Sequence, residues 1–367
     1  MPHSSPSQPT ADASLKFTCG KTMKNRFMLA PLTNKQSHQD GRLSDGEFHW
    51  LAMRAQGQFG AVMTCATSVQ ATGKCWSGQL GIHADVHLPG HQKLTAYVKS
   101  QGSLVLTQLH HGGMRCPEKY AGGQPVCPSA NEKHHARALT ADEIVALRED
   151  FITAAVRAQT AGYDGVEIHG AHGYLLAQFL SAEINHRTDA YGGNPENRAR
   201  ILFEIVEGVR TACGPEFLLG VRLSPERFGM ELDQVKVVCQ RLIDGGQIDF
   251  LDISLWDVFK QPQGAADDAP RLLSHFTALD RKNVRLTVAG KISGTAEVNA
   301  TLRAGVDFVS IGTSAILHHD FPKQVRQHPD FRPAPLPVSA DYLRSEGLSE
   351  PFVNYMRKWP DFVRAEE

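Results

Sequence analysis

Eight short apolar runs, each followed by a longer stretch with helical punctuation, set the strongest limit on what this chain can fold into. The runs are Arg26–Leu32, Ala61–Val69, Ser103–His110, Gly165–His169, Leu218–Leu223, Phe250–Leu255, Arg285–Ala289 and Phe308–Ile311. Near-continuous apolarity is what a parallel strand shows when both of its faces are covered. Between the runs, Ser44 with Glu47 and Thr140 with Glu143 fit the capping box that opens a helix. After Thr140, the residues Ile144, Leu147, Phe151, Ala155 and Ala158 fall on one helical face. Asn194-Pro195 reads as an N-cap followed by proline at the first helical position, and Gly214 ends that helix.

Strand and helix in alternation imply a parallel sheet with right-handed crossovers. Eight such units point to a closed (β/α)8 TIM barrel of the α/β class, with an open doubly wound sheet as the structural alternative. No internal repeat or linker divides the chain, so residues 15–367 read as one barrel domain that includes a C-terminal helical extension around Phe352–Trp359. The stretch before it, residues 1–14, is rich in Ser, Pro and Thr and reads as a disordered tail. One connection is long and aperiodic. Gly112 to Leu139 follows the third strand and would lie over the barrel mouth.

Composition removes several functions. With a formal net charge of -1 over 367 residues, nothing points to nucleic acid or an anionic membrane surface. No apolar run of membrane-spanning length occurs, and the N-terminal stretch lacks the cationic start of a signal peptide. Cys19, Cys65, Cys75, Cys116, Cys127, Cys213 and Cys239 are odd in number and include no C-x-x-C pair. That argues against a disulfide framework or zinc ribbon, and makes a reducing cytoplasm the expected compartment.

In this fold the chemistry sits at the C-terminal ends of the strands. Those ends carry Thr33, Thr67, Gln108, His110, His169, Arg222, Ser254, Gly290 and Gly312. Gly290 and Gly312, followed by Lys291 and Thr313, end the seventh and eighth strands, where barrels commonly hold a phosphate on loop amides. Arg222 would need an anionic partner, either an electron-rich isoalloxazine edge or a carboxylate such as Asp252. Gln108 offers both a donor and an acceptor to a flavin pyrimidine. His169 and His172 could jointly donate to one oxygen and stabilise a developing enolate, while Tyr174 stays protonated and can give a proton to carbon. The competing reading is metal ligation, with His110 or His111 as a third imidazole.

The segment Gly162-Tyr-Asp-Gly-Val-Glu-Ile-His-Gly-Ala-His-Gly-Tyr-Leu-Leu-Ala-Gln-Phe-Leu-Ser resembles the Old Yellow Enzyme family of NAD(P)H:flavin oxidoreductases. So do Asn185-His-Arg-Thr-Asp-Ala-Tyr-Gly-Gly-Asn with Glu196-Asn-Arg, Lys24-Asn-Arg-Phe, Ala30-Pro-Leu-Thr33 and Gln108-Leu-His-His-Gly. The resemblance runs from about Lys24 to about Pro322. It implies non-covalent FMN lined by Ala30, Pro31, Leu32, Thr33 and Ala66. Gln108 and Arg222 would hold its pyrimidine, and Gly290, Lys291, Gly312 and Thr313 would surround its phosphate. His169 and His172 would grip a substrate carbonyl and Tyr174 would donate the proton.

The implied reaction is ping-pong reduction of an enone, enal or quinone, with NADH or NADPH as electron source and no Rossmann motif required. Thr313 stands where family members usually carry arginine, so Lys291 is expected to supply the missing charge. Asn34 and Lys35 stand where some members have a tyrosine. Tyr355-Met-Arg357-Lys-Trp359 is similar to a tail that one branch inserts into a neighbouring subunit, against the plainer reading of an outer helix with a solvated arginine. A homodimer is the assembly that tail would imply. The cysteine-ligated cluster of dienoyl-CoA-reducing relatives has no counterpart here. Two other functions stay open at this point: a metal-dependent barrel hydrolase using His110, His169 and His172, and a flavin-binding sensor without turnover.

Overall fold

The computed structural model describes residues 10–365. Eight strands form a closed, all-parallel barrel in chain order. They are β1 (Phe27–Leu29), β2 (Ala61–Ser68), β3 (Leu104–His110), β4 (Gly165–Gly170), β5 (Leu218–Leu223), β6 (Phe250–Ser254), β7 (Arg285–Ala289) and β8 (Phe308–Ile311). Each apolar run found in the sequence therefore matches one barrel strand, the fourth strand ending one residue beyond its run, at Gly170. The closed ring excludes the open doubly wound alternative.

Alternation along each strand sorts its residues between the outer helices and the barrel interior. At the N-terminal end the interior residues are apolar. Met28, Met63, Leu106, Leu218, Phe250 and Phe308 form one cluster with Leu15, Phe17 and Met23. The last three come from an antiparallel hairpin, Leu15–Lys16 with Thr22–Met23, that plugs this end. The Phe17 ring lies 6.2 Å from Phe250 and 5.7 Å from Phe308. Two-residue strands are too short to show an alternating pattern, so the plug was not visible in the sequence.

Two local expectations change. The Ser44 hydroxyl caps helix Asp45–Gln56 by accepting from Glu47 N, but the Glu47 side chain does not reciprocate. It is fully buried and accepts instead from Asn34 Nδ2 at 2.9 Å and from the Ser37 hydroxyl. Thr140 and Glu143 do form both halves of their box. The connection from Gly112 to Leu139 is also more ordered than its composition suggests. It holds helix Glu118–Ala121 and a parallel pair, Val126–Cys127 with Arg137–Ala138. Arg187 Nη1 pins it through the carbonyls of Pro128 (2.8 Å) and Leu139 (2.5 Å), a restraint from distant sequence.

Of the N-terminal stretch read as a tail, residues 1–9 lie outside the described residues. Ala11 accepts from Arg26 N at 2.9 Å, and Asp12 pairs with Arg326. At the other end, helix Glu350–Met356 packs Phe352 on Trp50 with ring centroids 5.5 Å apart. Arg357 follows it and donates to Asn354 Oδ1 at 3.1 Å. No helix among the described residues is long and apolar enough to cross a membrane.

Candidate active site

Halfway up the barrel the interior changes character. Gln108, Glu167, Arg222, Asp252, Thr287 and Ser310 are all buried. Register sets Gln108 beside Glu167 and Arg222 beside Asp252. Gln108 Nε2 donates to Glu167 Oε1 at 2.6 Å, which leaves the amide oxygen of Gln108 free to accept. Arg222 Nε lies 3.2 Å from Asp252 Oδ2, too poorly aligned for a hydrogen bond. Burial and the nearby Asp252 charge raise the Glu167 carboxyl far above the ordinary range, so Glu167 keeps its proton.

Buried polar atoms are almost always paired. Here Arg222 Nε, Thr287 Oγ1 and Ser310 Oγ have no hydrogen-bond partner, while the proton that Glu167 keeps is shared with the adjacent Asp252 carboxylate. The layer is built to face something polar. The Ala66 edge of β2 reaches the same level, since a bulge between Met63 and Ala66 resets the register and pairs Ala66 with Gln108. The neighbouring Thr67 does not contribute to the mouth, because its hydroxyl is spent in a buried network with Thr64 and Thr107.

The top layer holds the imidazoles. His169, on β4, and His172, on the loop after it, meet through His169 Nε2 and His172 Nδ1, 3.3 Å apart. His172 sits in the left-handed region at φ 59, with its N–H held by Ser224 Oγ at 3.0 Å. Its Nε2 is 2.7 Å from Ser254 Oγ at the end of β6. His169 Nδ1 has no partner. Where the Ser254 hydroxyl donates to His172 Nε2, the His172 proton sits on Nδ1, and with the His169 proton on Nε2 both N–H groups can turn to one acceptor oxygen. Burial first, and neighbouring positive charge second, push both histidines well below the ordinary value, so the donors are neutral.

Tyr174 caps the start of helix Leu175–Leu180 and closes the third side. Its ring centroid is 5.3 Å from His169 and 4.4 Å from His110. The Arg115 guanidinium covers the ring at 4.7 Å and also donates to the His172 carbonyl. The Tyr174 hydroxyl makes no hydrogen bond among the described residues. Burial raises its pKa against the opposing pull of Arg115, which keeps the phenol protonated. His110 Nδ1 is paired with Gln79 Nε2 at 3.1 Å. Among the described residues no three His, Cys, Asp or Glu side chains converge on a point that could hold a metal ion.

On the opposite rim, Ala30 N donates to Ile311 O at 3.0 Å, so the segment Ala30, Pro31, Leu32, Thr33 starts beside the end of β8. A Cβ on Gly312 would meet nothing nearer than Leu32 Cδ2 at 3.6 Å, so its Cα faces open space. Gly290 is constrained from the other side. At φ +148, a Cβ there would lie 2.6 Å from Trp256 C and 2.7 Å from Asp257 N. Lys291 is 73% exposed and bonded to Asp257 Oδ2 at 3.1 Å, so its charge is already matched. Thr313 opens a short helix after Gly312.

Gln108, Arg222, His169, His172 and Tyr174 thus lie together at one end of the barrel, with Ala30, Ala66, Gly290 and Gly312 at or next to the strand ends around them, and the site adds residues that motif reading missed. Arg115 lies in the long connection, where no pattern marked it. Glu167 looked like one more residue of a family segment. Ser254 was visible as a polar strand end, but its bond to His172 spans 82 positions.

Residues 15–330 match the NADH:flavin oxidoreductase / NADH oxidase family. The chain is 34% identical over 322 residues to a probable NADH-dependent flavin oxidoreductase, YqiG, of Bacillus subtilis, covering 85% of this chain and 86% of that protein. It is 40% identical over 203 residues to an NADPH dehydrogenase of the same organism, covering 54% and 59%. Among solved structures, the Old Yellow Enzyme homologue of Zymomonas mobilis superposes with a TM-score of 0.79 at 29% identity, over 95% of this chain and 99% of that one. Morphinone reductase gives 0.77 at 27% identity, over 92% and 94%.

Proposed function

From the premise that the chain belongs to the NADH:flavin oxidoreductase / NADH oxidase family, and so is an FMN-dependent NAD(P)H oxidoreductase, we propose that it reduces the activated C=C bond of α,β-unsaturated carbonyl compounds or quinones. The observation that supports this reading is the meeting of His169 Nε2 and His172 Nδ1 beside an unpartnered Tyr174 hydroxyl. FMN, when bound, supplies the hydride. The unpaired polar atoms of Arg222, Thr287 and Ser310 fit a polar ring edge. Glu167 acts before any ligand arrives, because it fixes the Gln108 amide with its oxygen free to accept from a ring N–H. Gly290, Gly312 and Thr313 would offer backbone amides to the phosphate, and Lys291 could join them only by giving up Asp257.

The chain's own chemistry then follows. The two neutral imidazoles donate to the substrate carbonyl oxygen and strengthen their hold as negative charge develops there. Tyr174 delivers its proton to the α carbon, and the adjacent Arg115 guanidinium stabilises the tyrosinate left behind. Ser254 keeps His172 in the tautomer that donates from Nδ1.

The test is anaerobic stopped-flow. Enzyme reduced with NADPH is mixed with cyclohexenone or a quinone, and flavin reoxidation is followed by absorbance. Rapid, saturable reoxidation is expected. A flavin that is reduced but returns electrons to neither acceptor would sink the proposal and leave a sensor.

A further inference from the structure

Two cysteines that the proposed reaction does not use lie face to face beside the site. Cys75 Sγ and Cys116 Sγ are 3.7 Å apart, though 41 positions separate them in the chain. Cys75 lies on the connection after β2 and Cys116 on the one after β3, both at the mouth. Cys75 is half-buried and Cys116 buried. Their approach depends on the absence of a side chain at Gly112. A methyl there would stand 2.6 Å from Cys116 Sγ and closer still to Cys75 Sγ. The Gly112 N–H also ties the two connections together through Gly73 O at 3.0 Å.

Each cysteine is linked to the site by one short path. Cys75 N–H donates to Gln79 Oε1 at 2.7 Å, and Gln79 Nε2 reaches His110 Nδ1 at 3.1 Å. His110 packs edge-on against Tyr174. Cys116 follows Arg115, which covers the Tyr174 ring and holds the His172 carbonyl.

We propose that Cys75 and Cys116 are a redox-active thiol pair that a hydroperoxide converts reversibly to a disulfide, stapling two mouth connections next to Tyr174. Cys75, the less buried of the two residues, attacks the peroxide as thiolate. The O–O bond breaks, Cys75 becomes a sulfenic acid, and hydroxide leaves. The Cys116 thiolate then attacks the Cys75 sulfur, the S–S bond forms, and a second hydroxide leaves. The two hydroxides take up the two thiol protons. Two thiols and one hydrogen peroxide thus give one disulfide and two waters, with two electrons passing from sulfur to oxygen. Bond formation needs the sulfurs to close by roughly 1.7 Å, to the usual S–S length of about 2.05 Å. The Cys116 contact and burial raise the Cys75 thiol well above its ordinary value, so oxidation speeds up with rising pH. Closure pulls on Gln79 and Arg115 together. Its effect on turnover rests on the reading of Tyr174 as proton donor, whereas the disulfide itself does not.

The holoenzyme is treated with a small molar excess of hydrogen peroxide, residual thiols are alkylated, and a non-reduced digest is mapped by mass spectrometry. The expected product is a Cys75–Cys116 linked peptide, two hydrogens lighter than the separate peptides and reopened by dithiothreitol. Cys75→Ser and Cys116→Ser should lack it. Gly112→Ala keeps both thiols and should lose most of it, because its methyl separates them. Alkylated Cys116 beside a Cys75 oxidised to sulfinic acid would overturn the pairing, as would two alkylated thiols with Cys19 oxidised first. In parallel, reoxidation of the reduced enzyme by cyclohexenone should slow by roughly 10-fold after peroxide, the scale expected when a reacting group is displaced by under an ångström. Dithiothreitol should restore it, and Cys75→Ser should show no response to peroxide. A linked peptide with an unchanged rate would refute the staple. The peptide map reads the same whether or not the enzyme reduces enones, so the two failures are distinguishable.

Discussion

The two ends of one barrel, built from the same eight strands, follow opposite rules. At the N-terminal end the interior positions hold Met28, Met63, Leu106, Phe250 and Phe308, sealed by a hairpin that brings Leu15, Phe17 and Met23. At the C-terminal end the corresponding positions hold Gln108, Glu167, Arg222, Asp252 and His169, with polar atoms of Arg222 and His169 unpaired. The bottom is close-packed and satisfied by itself. The top pays a desolvation penalty for buried groups that nothing in the chain satisfies. The contrast teaches where stability and chemistry are kept apart: the plugged end holds the ring in register, and the open end can then carry polar residues at fixed positions.

The sharpest way to test that separation is Tyr174→Phe. The enone half-reaction should slow by roughly 10² to 10⁴, the usual worth of a general acid, while flavin reduction by NADPH changes little. Equal slowing of both half-reactions, measured by stopped-flow, would remove Tyr174 from the donor role. The mirror experiment is Phe250→Ala at the plugged end. Phe250 is almost fully buried and fills the space that Gly220 leaves open. Truncation should cost about 3–5 kcal/mol of stability in chemical denaturation, with the rate per bound flavin unchanged. A fall in that rate would mean the two ends are coupled after all.

Acid should expose the cost of the polar end. Burial holds His169 and His172 well below 6.5 and brings His111 to about 3, and it does the same, to about 4, for His91 on the outer helix Leu88–Ser100. Below pH 6.5 the unfolded chain takes up protons that the folded chain refuses, so stability falls as pH drops from 6.5 toward 4.5. Each such histidine contributes about 1.4 kcal/mol per pH unit within that window. Glu47, Glu167 and Asp252, raised in the folded state, act in the opposite sense above their ordinary range and so offset part of this loss inside the same window, but the lowered histidines His83, His91, His110, His111, His169 and His172 outnumber them and the net slope stays downward. A flat unfolding midpoint between pH 6.5 and 4.5 would contradict the buried, neutral assignment. The smallest effect is expected from Ser254→Ala. Losing one hydrogen bond of about 1 kcal/mol frees the His172 tautomer, so phenol affinity should weaken by roughly 5-fold without loss of bound flavin. Unchanged affinity in a flavin-absorbance titration would assign the pair's orientation to packing alone.

Much of this was legible in the chain. The strands could be read because parallel strands covered on both faces leave continuous apolar runs, as in Leu218–Leu223. The helix from Ala141 to Thr160 was legible from its cap and its face. His169, His172 and Tyr174 were legible because they share one short segment whose spacing survives folding. The plug hairpin was not, since Leu15–Lys16 and Thr22–Met23 carry no periodicity. Nor was the reassignment of Glu47, whose spacing from Ser44 promised a cap while burial gave it to Asn34 and Ser37.

The sequence by itself determined the ring of strands and the residues that reach its mouth, because both depend on local period and on motifs contiguous in the chain. Tertiary structure alone decided which atoms meet there: Ser254 with His172, Gln108 with Glu167, Lys291 with Asp257, and Cys75 with Cys116. Those pairings arise from barrel closure, strand register and rotamer choice. They join positions far apart in the chain, where no local pattern can record them.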